Sequence, residues 1–157
     1  LPTHYEQIML GYNYRMTDFQ AALARSQLKR LKEIVKKRQK IVEYYNSAFK
    51  DLPLIPQVLD LKSKSGYHLY ILRIETKKTN KTRLQLVNYL NKNNIQVGFH
   101  YIPIFTHRYF KSFRMNEKDF SNTEVFSKTA FSLPLYNQLS KKNLRYIVKI
   151  VKDFFKK

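Results

Sequence analysis

The chain has 157 residues, with 30 Lys+Arg against 11 Asp+Glu and a formal charge of +19. That length predicts one domain with room for an appendage and a core that needs no disulfides, and 43% hydrophobic with 15% aromatic residues argues against disorder. The absence of cysteine excludes a disulfide scaffold, a thiolate metal site and a cysteine nucleophile, and no run of about 18 apolar residues offers a membrane-spanning helix.

The charge suggests a polyanion as partner: nucleic acid, a membrane surface or a phosphorylated ligand. Of the basic residues 21 are Lys and 9 are Arg. Such a Lys-rich mixture, with many Asn, Ile, Tyr and Phe, also arises in an AT-rich genome without selection for binding. The first residues show no signal-peptide pattern, and the chain opens on Leu1 rather than Met, which points to a fragment or a processed product.

In chain order, Leu10 to Arg15 reads as an ordered loop turned at Gly11. Thr17-Asp18-Phe19-Gln20 fits a capping box, and no Gly or Pro follows before Lys50, which predicts a helix of about 32 residues and about 48 Å. Leu28, Leu31, Val35, Val42, Tyr45 and Phe49 form its apolar stripe. Its other face carries Arg25, Lys29, Arg30, Lys32, Lys36, Lys37 and Lys40, most simply a solvated face. Pro53 and Pro56 stop it. Residues 62–66 read as a turn, Tyr67–Ile74 as a strand, and Thr82–Asn91 as a helix with Leu84, Val87 and Leu90 on one face. Ile95–Ile102 reads as a second strand, so that strand, helix and strand resemble a crossover unit. Ser121-Asn122-Thr123-Glu124 predicts a capped helix to about Ala130. Leu133 to Tyr136 reads as extended, and Ser140 as the cap of a final helix burying Leu144, Ile147, Val148, Val151, Phe154 and Phe155. The expected divisions are residues 1–50, a loop and long connecting helix, and residues 51–157, a small α/β domain.

Of the four histidines, His4, His68, His100 and His107, the last two lie seven apart with no carboxylate between them, and no cluster of His, Asp and Glu stands out, so no metal site is expected. His68, inside the expected strand, reads as a core residue. A Ser-His-Asp arrangement stays open, because triads are defined by geometry. Three glycines, Gly11, Gly66 and Gly98, cannot build a phosphate loop or a dinucleotide fingerprint. Two segments remain. Asn13 and Arg15 precede a helix N-terminus, where backbone N–H groups and the dipole favour an anion. His100-Tyr101-Ile102-Pro103 brings a hydrogen-bonding ring, a stackable ring and a rigid turn to the end of the expected strand, where α/β folds commonly bind ligands.

The stretch Gly11-Tyr12-Asn13-Tyr14-Arg15-Met16-Thr17-Asp18-Phe19-Gln20-Ala21-Ala22-Leu23, then Ser26-Gln27-Leu28, resembles the hallmark of the nucleotide-sugar PLP-dependent aminotransferases of DegT/DnrJ/StrS type. The resemblance continues through His68-Leu69-Tyr70, His100-Tyr101-Ile102-Pro103 and Ser132-Leu133-Pro134-Leu135-Tyr136, across essentially the whole chain. Within the family it is most similar to the UDP-4-amino-4,6-dideoxy-N-acetyl-β-L-altrosamine transaminases of pseudaminic acid synthesis. The resemblance implies the small C-terminal α/β domain of a fold-type-I aminotransferase behind a long connecting helix. It implies pyridoxal 5'-phosphate (PLP) as cofactor, glutamate and a UDP-linked 4-keto deoxysugar as substrates, a homodimer, and a cytoplasmic location. By the same resemblance Asn13 reaches the cofactor phosphate of the neighbouring subunit. Arg15 contacts phosphate or diphosphate, and His100, Tyr101, Ile102 and Pro103 touch the nucleotide-sugar.

The family's Schiff-base lysine lies in a Ser-x-His-x-x-Lys motif, whereas here Gln7, Ile71, Pro103 and Phe110 stand three residues after the histidines. No catalytic residue is therefore assigned in this chain, the N-terminal PLP domain is expected elsewhere, and the chain alone is expected to be inactive. The competing reading is a nucleic-acid-binding module using the aromatic and basic stretch Phe105 to Arg114. It carries no recognition signature, and the basic residues are spread along the chain. A third reading is a non-catalytic remnant of a truncated gene.

Overall fold

The computed structural model describes residues 8–12, 14–60, 62–113 and 115–156. Helices α1 (Asp18–Phe49), α2 (Arg83–Lys92), α3 (Ser121–Thr129) and α4 (Lys141–Lys156) accompany strands β1 (Leu54–Pro56), β2 (Tyr70–Ile74) and β3 (Ala130–Leu133). The chain divides into two compact units, one ending at Glu33 and the other starting at Ile34.

The first unit contains the start of α1. The Thr17 N–H donates to Gln20 Oε1 at 2.9 Å and the Gln20 N–H to Thr17 Oγ1 at 3.3 Å, so the expected capping box forms. The expected stripe does not extend through this unit: Leu28 is 64% exposed and Leu31 is also exposed. Helical periodicity identifies a face but not whether another element covers it.

In the second unit α1 buries Ile41, Val42, Tyr45 and Phe49. These residues join Leu72, Leu86, Leu90, Phe131 and Val151 in one apolar core. The sheet has the order β1-β2-β3 with both pairs antiparallel. Leu54 faces Ile74 across the first pair, and Leu72 faces Phe131 across the second. The expected crossover unit is therefore corrected. β2 is shorter than expected, and its neighbour is β3 rather than residues 95–102. Only Gly98 of that segment pairs, in an isolated bridge to Ser132. The chain then leaves the sheet, and Pro103 has no N–H to donate to a ladder.

Thr82 caps α2 in a capping box with Gln85, and α2 buries Leu86, Val87 and Leu90, while Leu84 is exposed. Asn94 takes a left-handed φ of 57° just past the helix end, a conformation asparagine tolerates. The expected box at Ser121 does not form, because the helix begins one residue earlier: Phe120 is the N-cap and bonds through no side chain. Ser140 Oγ accepts from the Asn143 N–H at 3.1 Å, which starts α4 as expected. The buried face of α4 is Leu144, Ile147, Val148, Ile150, Val151 and Phe154; Phe155 is only half-buried. His68 precedes β2 and is exposed, so it is not a core residue. No helix among the described residues is long and apolar enough to cross a membrane.

Candidate functional site

Within the second unit, β3 builds the centre of the site. All four of its residues are buried, and Ser132 is one of the few buried polar groups, at 5% exposure. Gly98 and Ser132 exchange backbone hydrogen bonds, Gly98 N–H to Ser132 C=O at 3.1 Å and Ser132 N–H to Gly98 C=O at 2.9 Å. Two residues on, the His100 ring returns to the same place, with Nε2 2.9 Å from Ser132 Oγ. A Cβ on Gly98 would lie 2.6 Å from His100 Nε2 and 2.7 Å from Ser132 Oγ, so the ring occupies the space a side chain would need.

Arg83, the first residue of α2, also contacts this segment. Its guanidinium donates to the Ala130 C=O at 3.1 Å and to the Ser127 C=O. It stacks 4.7 Å from the centre of the Phe99 ring. Partial burial lowers its pKa from the usual arginine value by desolvating the cation. Beyond this anchored root, Tyr101 is 79% and Ile102 65% exposed, and Pro103 is half-buried. Ile104, Tyr109 and Phe113 add further exposed apolar surface along short 3-10 turns. Several rings here pair with one another, including Phe105 with Phe120 at 5.5 Å and Tyr109 with Phe110 at 5.1 Å.

The four expected residues His100 to Pro103 thus form one feature, a buried root and a projecting tip. Arg15 belongs to the first unit and is exposed. Asn13 lies outside the described residues. Ser132, Gly98 and Arg83 complete the geometry but were not among the expected site residues. The signal that could have found Ser132 was its position at the head of the Ser132-Leu133-Pro134 stretch.

His100 and Ser132 supply two members of a hydrolytic triad, but among the described residues His100 Nδ1 is buried with no partner, so no orienting carboxylate is in place there. Among the described residues no three His, Asp or Glu side chains converge on a metal position. Nor do the residues present fit a complete PLP site. Pro103 and Ile71 stand where the imine lysine would follow His100 and His68, and among the described residues no acidic side chain bonds the His100 ring. Lys81, a lysine with an inward bond, is committed to the Phe154 carbonyl and ring.

Residues 2–152 match the model of the DegT/DnrJ/EryC1/StrS aminotransferase family, and the chain belongs to that family. It is 36% identical over 156 residues to the spore coat polysaccharide biosynthesis protein SpsC of Bacillus subtilis, covering 98% of this chain and 40% of that protein. Helicobacter pylori PseC, an aminotransferase involved in the biosynthesis of pseudoaminic acid, superposes with a TM-score of 0.82 at 29% identity, over 96% of this chain and 40% of PseC. Spr1654 of Streptococcus pneumoniae, solved in its PLP form, superposes with a TM-score of 0.84 at 26% identity, over 98% of this chain and 39% of that one. The chain spans about two fifths of the length of these relatives. The mixed helix-and-sheet architecture is accordingly that of part of an α/β sugar aminotransferase.

Proposed function

We propose that this chain is the C-terminal part of a PLP-dependent nucleotide-sugar aminotransferase. The whole enzyme would move an amino group from glutamate to the C4 keto group of a UDP-linked deoxysugar, as in pseudaminic acid synthesis. The family match across residues 2–152 carries this reading. The likeness to PseC supports the choice of sugar pathway.

In this reading residues 1–50 form the cofactor loop and connecting helix, and residues 51–157 form the small domain. Asn13 bonds the cofactor phosphate of a second subunit in a homodimer, and Arg15 holds phosphate or diphosphate. His100, Tyr101, Ile102 and Pro103 line the nucleotide-sugar, with Tyr101 and Ile102 as the contacting groups because they project from the chain. The imine lysine and the groups that hold the cofactor ring come from residues outside this sequence. The chain alone is therefore inactive.

The test is a glutamate-dependent transamination assay with a UDP-4-keto-6-deoxysugar, run on the complete polypeptide encoded at the native locus. An aminated UDP-sugar is the expected product. A polypeptide that aminates no nucleotide-sugar overturns the proposal.

A further inference from the structure

We propose that Ser132 and Gly98 are positioning residues that fix the His100 ring, and through it the place where Tyr101 and Ile102 project toward the nucleotide-sugar. The inference rests on the reading of residues 100–103 as the sugar-contacting segment.

Three observations carry it. First, the segment is tied to β3 twice within three residues, by the paired Gly98 and Ser132 backbone bonds and by the contact of His100 Nε2 with Ser132 Oγ. Second, the ring has one place to sit. It lies against Gly98, where any side chain would come within 2.6 Å of Nε2. Third, the apolar tip meets the root itself, the Tyr101 ring lying edge-on to the His100 ring at 5.1 Å. Tyr101 and Ile102 are solvent-facing, so their position is set at the root rather than by packing.

Hydrogen-bond accounting shows why the contact matters at the root. Among the described residues Nδ1 is buried with no partner, so the Nε2 contact with Ser132 Oγ is the hydrogen bond that holds the ring, whichever of the two atoms donates. A serine on a fully buried strand thereby gains its hydrogen-bond partner.

The experiment combines imidazole ¹⁵N resonances with steady-state kinetics on the complete polypeptide carrying this sequence. In the wild type the His100 Nε2 resonance should show a hydrogen-bonded nitrogen. Ser132→Ala should move that resonance. It should raise KM for the nucleotide-sugar about tenfold, the equivalent of one hydrogen bond, with KM for glutamate unmoved. Gly98→Ala keeps the serine but crowds both the ring and the hydroxyl, so it should raise the same KM, and it carries the test if Ser132→Ala fails to fold. Tyr101→Ala separates the two levels of the account. If Tyr101→Ala raises KM for the sugar but Ser132→Ala and Gly98→Ala do not, the positioning role is overturned and the site reading stands. If Tyr101→Ala leaves that KM unmoved, the site reading falls and the positioning role falls with it.

Discussion

The hydroxyl of Tyr45, midway along the buried half of α1, donates to the carbonyl of Pro134 at 3.0 Å, joining the helix to the segment that leaves β3. The Tyr45 ring stacks on Tyr70 of β2 at 4.8 Å and on Phe49 at 5.6 Å. One side chain thus ties α1 to the sheet and to the stretch just beyond Ser132. Tyr45→Phe keeps the stacking and removes the bond, leaving a carbonyl unpaired. It should cost about 1–2 kcal/mol in denaturant unfolding with an unchanged m-value.

Burial pushes the phenols of Tyr45 and Tyr70 well above the usual tyrosine range, with the nearby phenols of Tyr70 and Tyr136 adding at Tyr45. A raised folded-state pKa means that the fold favours the protonated phenol. The stability this contributes is complete below the unfolded value of about 10 and is lost as pH climbs above it. Alkaline titration should therefore show two late tyrosinates appearing together with loss of helical signal. If all tyrosines ionise near pH 10 with the fold intact, the buried placement of these two rings is contradicted.

The two halves of α1 should respond differently to truncation. Phe49→Ala empties a core position and should cost about 3–5 kcal/mol. Leu28→Ala removes an exposed side chain and should change the stability of this chain by no more than about 0.5 kcal/mol. Thermal melts of the two variants side by side check the contrast.

The caps give a similar pair. Thr82 completes both bonds of its capping box, whereas Ser121 is not the N-cap of α3. Thr82→Ala should cost about 1 kcal/mol, and Ser121→Ala should be close to neutral. Chemical denaturation resolves a difference of that size.

In the complete enzyme, Asn13→Ala should weaken PLP retention by about 1.5–3 kcal/mol, the usual contribution of a hydrogen bond to a charged group. Faster cofactor loss on dialysis is the expected result. Retention equal to wild type removes Asn13 from the cofactor site.

The helices were legible in the sequence because their signals are local. Thr17 and Gln20, or Ser140 and the apolar face after it, announce themselves within a few residues. The sheet was not legible in the same way. β1 is three residues beside a proline, and β3 is a four-residue run buried on both faces that has no alternation to reveal it. Ile95–Ile102 had the more strand-like composition, yet only Gly98 pairs. The site was half legible. His100 to Pro103 and Ser132 to Tyr136 were visible as separate stretches, and nothing local joins them. Their meeting is a contact across 32 residues that only the folded sheet creates.

The measurement that tests the central claim most directly is amino transfer by the purified 157-residue chain supplied with PLP, glutamate and a UDP-4-keto-6-deoxysugar. With no lysine three residues after any histidine, the account predicts no aminated sugar above the enzyme-free control. Repeated turnover by this chain alone would contradict it.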